Sequence, residues 1–319
     1  MKILANDGIS KEGIDLLTQN GFEVVTAKVE QDQLAEAINK EGYVALLVRS
    51  ATTVRKDLID ACPNMKLIGR GGVGMDNIDV EYARSIGREV INTPGASSQS
   101  VAELVMTHMF SISRFMNDSY KQMPANGVAE FNTLKKKYGK GVELRGKTLG
   151  IVGFGRIGQA LASYALGCGM KVIAVDMFTN PVQIEIPIEG MTNPTVTVTP
   201  VSDLNSVIGE LDYLSLHVPK QADGSAVITS TEIAKMKDGA RIINAARGGV
   251  IDEDDLIKAL DSGKISYAAL DVFENEPNPR ADLLQHDKIA SSPHIGAATN
   301  EAQGRIGTEL AEKIIAYFK

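Results

Sequence analysis

The stretch Thr148–Asp176, TLGIVGFGRIGQALASYALGCGMKVIAVD, constrains this chain more than any other. An apolar run, Leu149–Val152, leads into Gly153-Phe154-Gly155-Arg156-Ile157-Gly158, a G-x-G-x-x-G. Ile157, Leu161 and Tyr164 then recur at helical spacing, and a second apolar run, Val172–Val175, ends in Asp176. Strand, glycine turn, helix, strand and acid is the order of a dinucleotide-binding βαβ unit. Gly153 would permit the tight turn, Gly155 a close approach of pyrophosphate to the backbone, and Gly158 close contact of helix and strand. The helix N-terminus offers unpaired N–H groups and partial positive charge to phosphates, with Arg156 and Ile157 in its first turn. Asp176 stands where a carboxylate can accept from the adenosine ribose diol. A 2′-phosphate there would meet like charge, and Met177-Phe178 provide no arginine for it, so NAD is expected rather than NADP. A purely structural βαβ turn is the competing reading.

With 319 residues the chain is long enough for two domains of ordinary size. Net charge is −7, which argues against nucleic acid or an anionic membrane as the main partner. The N-terminus MKILANDG is interrupted by Asn6-Asp7-Gly8 too early for a signal peptide, and no apolar run reaches membrane-spanning length. The two cysteines, Cys62 and Cys168, have no metal-like spacing; no metal site is expected, and both read as reduced thiols of a cytoplasmic protein.

Residues 1–95 alternate strand and helix from Lys2–Ala5 to Glu89–Ile91, which implies a parallel sheet covered by helices. No glycine turn of the dinucleotide kind occurs there. Thr93-Pro94-Gly95 breaks the pattern, and a helix over Val101–Arg114 follows, with Ser97, Ser98 and Ser100 as possible caps. Residues 117–146, rich in lysine and glycine, read as irregular: a solvated loop or a contact with a neighbouring subunit. Further βα units follow, with an exposed strand over Thr195–Thr199 and a final helix near Glu301–Phe318 that returns to the first domain. The division expected is residues 1–95 plus 298–319 for substrate and 96–297 for the dinucleotide. Two crossings make a hinge, and the cleft is the default ligand site.

Ligands of open α/β sheets bind beyond the carboxyl ends of the strands. Arg247 follows one such strand in Asn244–Gly249, Glu276 another in Asp271–Pro277, and His294 a third in Ser292–Ala297. Oxidation of a 2-hydroxy acid by a nicotinamide needs a base for the hydroxyl proton, an acid beside it, and a guanidinium for the carboxylate. Each residue alone is ambiguous: His294 after a proline could be a turn residue, Arg247 before two glycines a helix cap, Asp271 an N-cap or a neighbour of the nicotinamide. His217, next to Val218-Pro219, reads as lying at the cofactor's edge. His108 and His286 read as structural.

Together Gly153–Gly158 with Asp176, Asn244–Gly249, Asp271-Val272-Phe273 with Glu276-Pro277, and Pro293–Ala297 resemble the D-2-hydroxyacid dehydrogenases. The resemblance covers nearly the whole chain. It implies an α/β architecture of two doubly wound parallel-sheet domains, a flavodoxin-like substrate domain and a Rossmann cofactor domain. It implies His294 as general acid/base, Glu276 as its partner and Arg247 as binder of the substrate carboxylate. It further implies NAD contacts from Arg156, Ile157, Asp176, His217, Val218, Ala245, Ala246, Arg247, Asp271, His294, Gly296 and Ala297, and a homodimer formed by the cofactor domains.

Val48–Thr52 and Gly69–Asp79 are similar to the branch of that family acting on 3-phospho-D-glycerate. This implies a small phosphorylated hydroxy-acid substrate, oxidised at the first step of serine synthesis. Arg49 and Arg70 would neutralise the phosphate, and the N–H groups of Ser50, Ala51, Gly72 and Val73 would cradle an anion. Interdomain salt bridging is the other reading of the two arginines. Thr53 stands where relatives often have lysine, and residues 117–146 lack their usual tryptophan. Feedback by serine through a C-terminal regulatory domain is not expected. A glyoxylate, hydroxypyruvate or other D-2-hydroxyacid reductase is the alternative function, and an NAD-sensing binding protein a distant one.

Overall fold

The computed structural model describes residues 1–319. The chain divides into two compact units, Met1–Ser100 with Ala297–Lys319, and Val101–Gly296.

The first unit holds β1 (Lys2–Ala5), α1 (Lys11–Gln19), β2 (Glu23–Val25), α2 (Leu34–Glu41), β3 (Tyr43–Val48), α3 (Lys56–Ala61), β4 (Leu67–Arg70), α4 (Val80–Ser85) and β5 (Glu89–Asn92). All five strands are parallel, in the order β2-β1-β3-β4-β5. Period-two alternation sends side chains to both faces. Leu46 and Val48 join Leu34, Ile38 and Ile59 on one side, while Ala45 and Leu47 join Leu17, Ala311 and Ile314 on the other. Strand direction of winding reverses between β1 and β3, the switch point at which such sheets bind ligands. Asp7 and the Arg49–Thr52 turn both lie at that end.

The second unit is built on β6 (Thr148–Val152), α7 (Arg156–Gly167), β7 (Lys171–Val175), β10 (Tyr213–Leu216), α8 (Ser230–Lys235), β11 (Ala240–Asn244), α9 (Glu253–Ser262), β12 (Ile265–Leu270), α10 (Ala281–Gln285) and β13 (Ile289–Ser291). Its six strands are parallel, in the order β13-β12-β11-β10-β6-β7. An antiparallel hairpin, β8 (Val182–Glu185) with β9 (Thr195–Val198), follows β7. Beyond it Val201 pairs with Val175 by a single parallel bridge, so the sheet's next position is held by one residue instead of a strand. The switch point here falls between β6 and β10, beside the glycine turn.

Helix α5 (Ser98–Arg114) starts three residues before the expected Val101, and α11 (Asn300–Phe318) ends the chain. The largest departure is residues 117–146. Their lysine and glycine content reads as irregular, yet α6 (Met116–Tyr138) runs through most of the segment. Local propensity there is poor, with Pro124 inside and non-helical angles at Glu130. The segment is two helices meeting at a kink at Glu130, and contacts between its ends compensate: Leu134 is buried, and Asp118 accepts from Tyr138 Oη at 2.8 Å and pairs with Lys137 at 2.5 Å. No helix is long and apolar enough to cross a membrane.

Candidate active site

At the end of β6, Gly153 has φ +90°, a region closed to most side chains. A Cβ there would also meet His217 O at 2.5 Å and Val218 Cγ1 at 3.0 Å. His217 and Val218 therefore flank the glycine turn, at the switch point. An added Cβ on Gly155 meets nothing within 4 Å, so open space lies in front of that backbone. On Gly158 it would meet Gly153 O at 2.3 Å, which shows how closely α7 sits on its own turn. The first-turn N–H groups of Arg156, Ile157 and Gly158 precede the first intrahelical bond, from Gln159 to Gly155 O. Asp176 is oriented by backbone: Oδ2 accepts from Phe154 N–H at 2.6 Å and Oδ1 from Phe178 N–H at 3.0 Å. Open space, unpaired donors and a fixed carboxylate fit a bound dinucleotide.

Three strand ends bring the other residues together. After β11, Asn244 clasps its turn: Oδ1 accepts from Ala246 N–H at 3.0 Å and Nδ2 donates to Arg247 O at 2.9 Å. Ala245, Ala246 and Arg247 are thus held in one tight turn. A Cβ on Gly248 would stand 1.8 Å from Phe273 O, so that turn lies directly against the segment leading to Glu276. Glu276 is anchored by Phe273 N–H on Oε1 at 3.0 Å, and its Oε2 lies 2.7 Å from His294 Nδ1. A carboxylate accepts, so Nδ1 carries the hydrogen and the neutral ring leaves Nε2 with a free lone pair.

Asp271, 1% exposed, braces the loop that bears His294. Its carbonyl accepts from His294 N–H at 2.8 Å. Its carboxylate accepts from Ser292 Oγ at 2.6 Å, Ile295 N–H at 2.9 Å and Gly296 N–H at 2.8 Å. His294 itself has φ +53°, left-handed backbone that costs a non-glycine residue about 1–2 kcal/mol. The four bonds to Asp271 offset that strain. Ala297 O accepts from Gln303 Nε2 on α11.

The remaining histidine near the turn, His217, has Nε2 2.8 Å from Ser215 Oγ, while Nδ1 is buried without a partner. Burial lowers its pKa to about 4, so the ring is neutral.

In the first unit, Arg49 follows β3 and Arg70 ends β4, and these neighbouring parallel strands put both at one end of the sheet. Asp7 Oδ2 accepts from Arg49 N–H at 2.7 Å and Thr52 N–H at 3.0 Å. Asn77 Nδ2 donates to Arg49 O and Thr52 O. Between these clamps the N–H groups of Ser50 and Ala51 have no partner within the protein, and both residues are exposed. Burial pushes the Asp7 carboxyl up, but Lys28 and the N–H and hydroxyl donors of Arg49 and Thr52 outweigh it and hold it below the usual range. Arg70 Nη1 donates to Gly71 O at 2.7 Å, and Gly72, before the exposed Val73, has φ +147°.

Reading the sequence missed the residues that hold these groups: Asp7, Asn77, Asn244 and Ser292. A signal existed for Asp7 and Asn244, polar residues at the ends of apolar strands. Asn77 and Ser292 had none, since their partners are distant in sequence. No group of three His, Cys, Asp or Glu side chains could hold a metal ion.

Residues 106–296 match the family model for the D-isomer specific 2-hydroxyacid dehydrogenase NAD binding domain. The chain belongs to this dehydrogenase family. It carries an NAD-binding domain, and the two-sheet α/β fold is that of its solved members. The chain is 44% identical to a hydroxypyruvate reductase of Thermotoga maritima, over 98% of this chain and 97% of that one. It is 41% identical to a D-3-phosphoglycerate dehydrogenase of Methanocaldococcus jannaschii, over 98% of this chain but 57% of that one, so it spans little more than half of that relative. The crystal structure of a glyoxylate reductase from Paecilomyes thermophila superposes with TM-score 0.83 at 28% identity, covering 100% of this chain and 95% of that one.

Proposed function

We propose that this dehydrogenase oxidises 3-phospho-D-glycerate to 3-phosphohydroxypyruvate with NAD, feeding serine synthesis. The observation that carries the reading is the pair Arg49 and Arg70 at adjacent strand ends, beside the unpartnered N–H groups of Ser50 and Ala51. Two guanidinium groups and a backbone nest suit a phosphate dianion better than a methyl or hydroxymethyl group.

When bound, NAD supplies the two-electron acceptor that takes the hydride from C2 of the substrate. His294 Nε2 accepts the proton of the C2 hydroxyl as the C–H bond breaks, leaving a C=O. Glu276 stabilises the imidazolium so formed through Nδ1–H. Arg247 binds the substrate carboxylate and polarises the developing carbonyl oxygen. In the reverse direction His294 returns the proton. The roles of Gly155, Arg156, Ile157 and Gly158 are to receive the pyrophosphate; Asp176 accepts from the adenosine ribose and repels a 2′-phosphate. His217, Val218, Ala245, Ala246, Asp271, Gly296 and Ala297 line the nicotinamide half.

A second reading, reduction of unphosphorylated hydroxypyruvate, is favoured by the Thermotoga relative, which this chain matches over 97% of its length. The deciding experiment compares NADH formation from 3-phosphoglycerate and D-glycerate at alkaline pH, for the wild type and Arg49→Ala. We expect a preference for the phosphorylated acid that Arg49→Ala removes. Equal rates on the two acids in the wild type would transfer the assignment to the second reading.

The enzyme acts as a homodimer in this reading, joined through the exposed apolar side chains of α6, among them Tyr120, Val128 and Phe131. Val128→Asp is expected to sediment as a monomer; a monomeric wild type would remove the dimer.

A further inference from the structure

Helix α5 turns Val105, Met109 and Ile112 to the sheet, all buried, and His108 stands among them at 7% exposure. An aliphatic side chain would serve that position by area alone. The imidazole instead has Nε2 2.9 Å from Ser292 Oγ, and Ser292 Oγ lies 2.6 Å from Asp271 Oδ1. Hydrogen counting orients this chain. Asp271 takes backbone N–H donors on both carboxylate oxygens, so it only accepts. The single hydroxyl proton of Ser292 therefore goes to Asp271, and Ser292 Oγ must accept from His108 Nε2–H. Burial lowers the pKa of His108, against the opposing pull of Asp271, and the neutral ring has only that one N–H.

We propose that His108 is a positioning residue for His294, acting through Ser292 and Asp271. The inference rests on the reading of His294 as the acid/base. The loop from Ser292 to Gly296 holds His294 in left-handed backbone, and Asp271 accepts from Ser292 Oγ and from the N–H groups of His294, Ile295 and Gly296 in that loop. His108 fixes the far side of that carboxylate's clasp to a rigid helix, 184 residues away in sequence from Ser292. Donors in series polarise one another, so the Ser292–Asp271 bond is stronger for the His108 donation behind it. Without that donor the Ser292 hydroxyl and the Asp271 carboxylate gain other orientations. The loop then spends less time with His294 Nδ1 on Glu276. Turnover falls, while the glycine turn that binds the dinucleotide, on other strands, is untouched.

The test is steady-state kinetics on His108→Leu, His108→Gln, Ser292→Ala and the double variant His108→Leu/Ser292→Ala. His108→Leu is expected to lower kcat about tenfold with KM for NAD within about twofold. His108→Gln, whose amide nitrogen can reach Ser292, is expected to recover most of the loss. Ser292→Ala should reproduce the fall, and the double variant should fall no further, as members of one chain do. A His108→Leu enzyme with wild-type kcat overturns the proposal, as does a loss that glutamine leaves unrepaired or a double variant whose losses multiply. Should His108→Leu fail to fold, Ser292→Ala decides, and an unchanged kcat there overturns it. His294→Gln is the control. Wild-type turnover in His294→Gln defeats the acid/base reading itself, whereas lost turnover there with an intact His108→Leu enzyme defeats only the present inference.

Discussion

Glu276 Oε2 stands 2.7 Å from His294 Nδ1, and the other oxygen of the same carboxylate is held by Phe273 N–H at 3.0 Å. The carboxylate is thus aimed from behind, and it fixes the hydrogen on Nδ1, which leaves Nε2 as the ring's acceptor. His294→Gln removes the base and is expected to lower kcat by about 10²–10⁴. Glu276→Gln keeps the size but can donate to Nδ1, which favours the wrong tautomer, so a comparable fall is expected. Stopped-flow or steady-state NADH formation measures both. A Glu276→Gln enzyme with full turnover would show that the carboxylate does not set the tautomer.

Asp176 accepts backbone N–H on each oxygen while standing at the end of β7. Asp176→Ala is expected to raise KM for NAD about tenfold, the loss of charge-assisted hydrogen bonds to a ribose diol. It should also raise activity with NADP relative to NAD, because like charge no longer opposes a 2′-phosphate. Paired titrations with the two coenzymes read this out, and an unchanged ratio would refute the electrostatic account.

A Cβ on Gly158 would lie 2.3 Å from Gly153 O, a backbone atom that cannot swing aside. Gly158→Ala must push α7 away from its turn. We expect a loss of about 1–3 kcal/mol in urea unfolding, the range for overpacking, together with weaker NAD binding. If the midpoint and the slope both stay at wild-type values, α7 is free to shift.

His217 is neutral in the folded chain because burial lowers its pKa from the ordinary 6.5 to about 4. The unfolded chain takes up this proton first as pH falls. Stability from this group is therefore complete above about pH 6.5 and is lost progressively toward pH 4, by up to about 3 kcal/mol. His108, also lowered by burial, adds a loss of the same sign. Unfolding free energies measured at pH 7 and pH 5 should fall less steeply for His217→Asn than for the wild type. Parallel slopes would mean that His217 is not shut off from water.

Short-range patterns were enough for much of this protein. The glycine turn, the alternation of strand and helix, and Arg247, Glu276 and His294 at strand ends follow from periodicity and residue type, because a βαβ unit is specified within about thirty residues. The same local reasoning failed at α6, where poor propensity is overridden by burial of Leu134 and by the Asp118 pairings across the kink at Glu130, contacts that helical periodicity does not display. It also could not choose between turn residue and base for His294. Folding adds what spacing lacks, a carboxylate brought in from 18 residues away that determines where the one hydrogen of the neutral imidazole sits. Likewise His108 reads in sequence as a helix residue and no more. Its link to Ser292 exists only once parallel strands and a covering helix have closed the distance, since hydrogen bonds depend on ångström placement and sequence spacing beyond one element carries none.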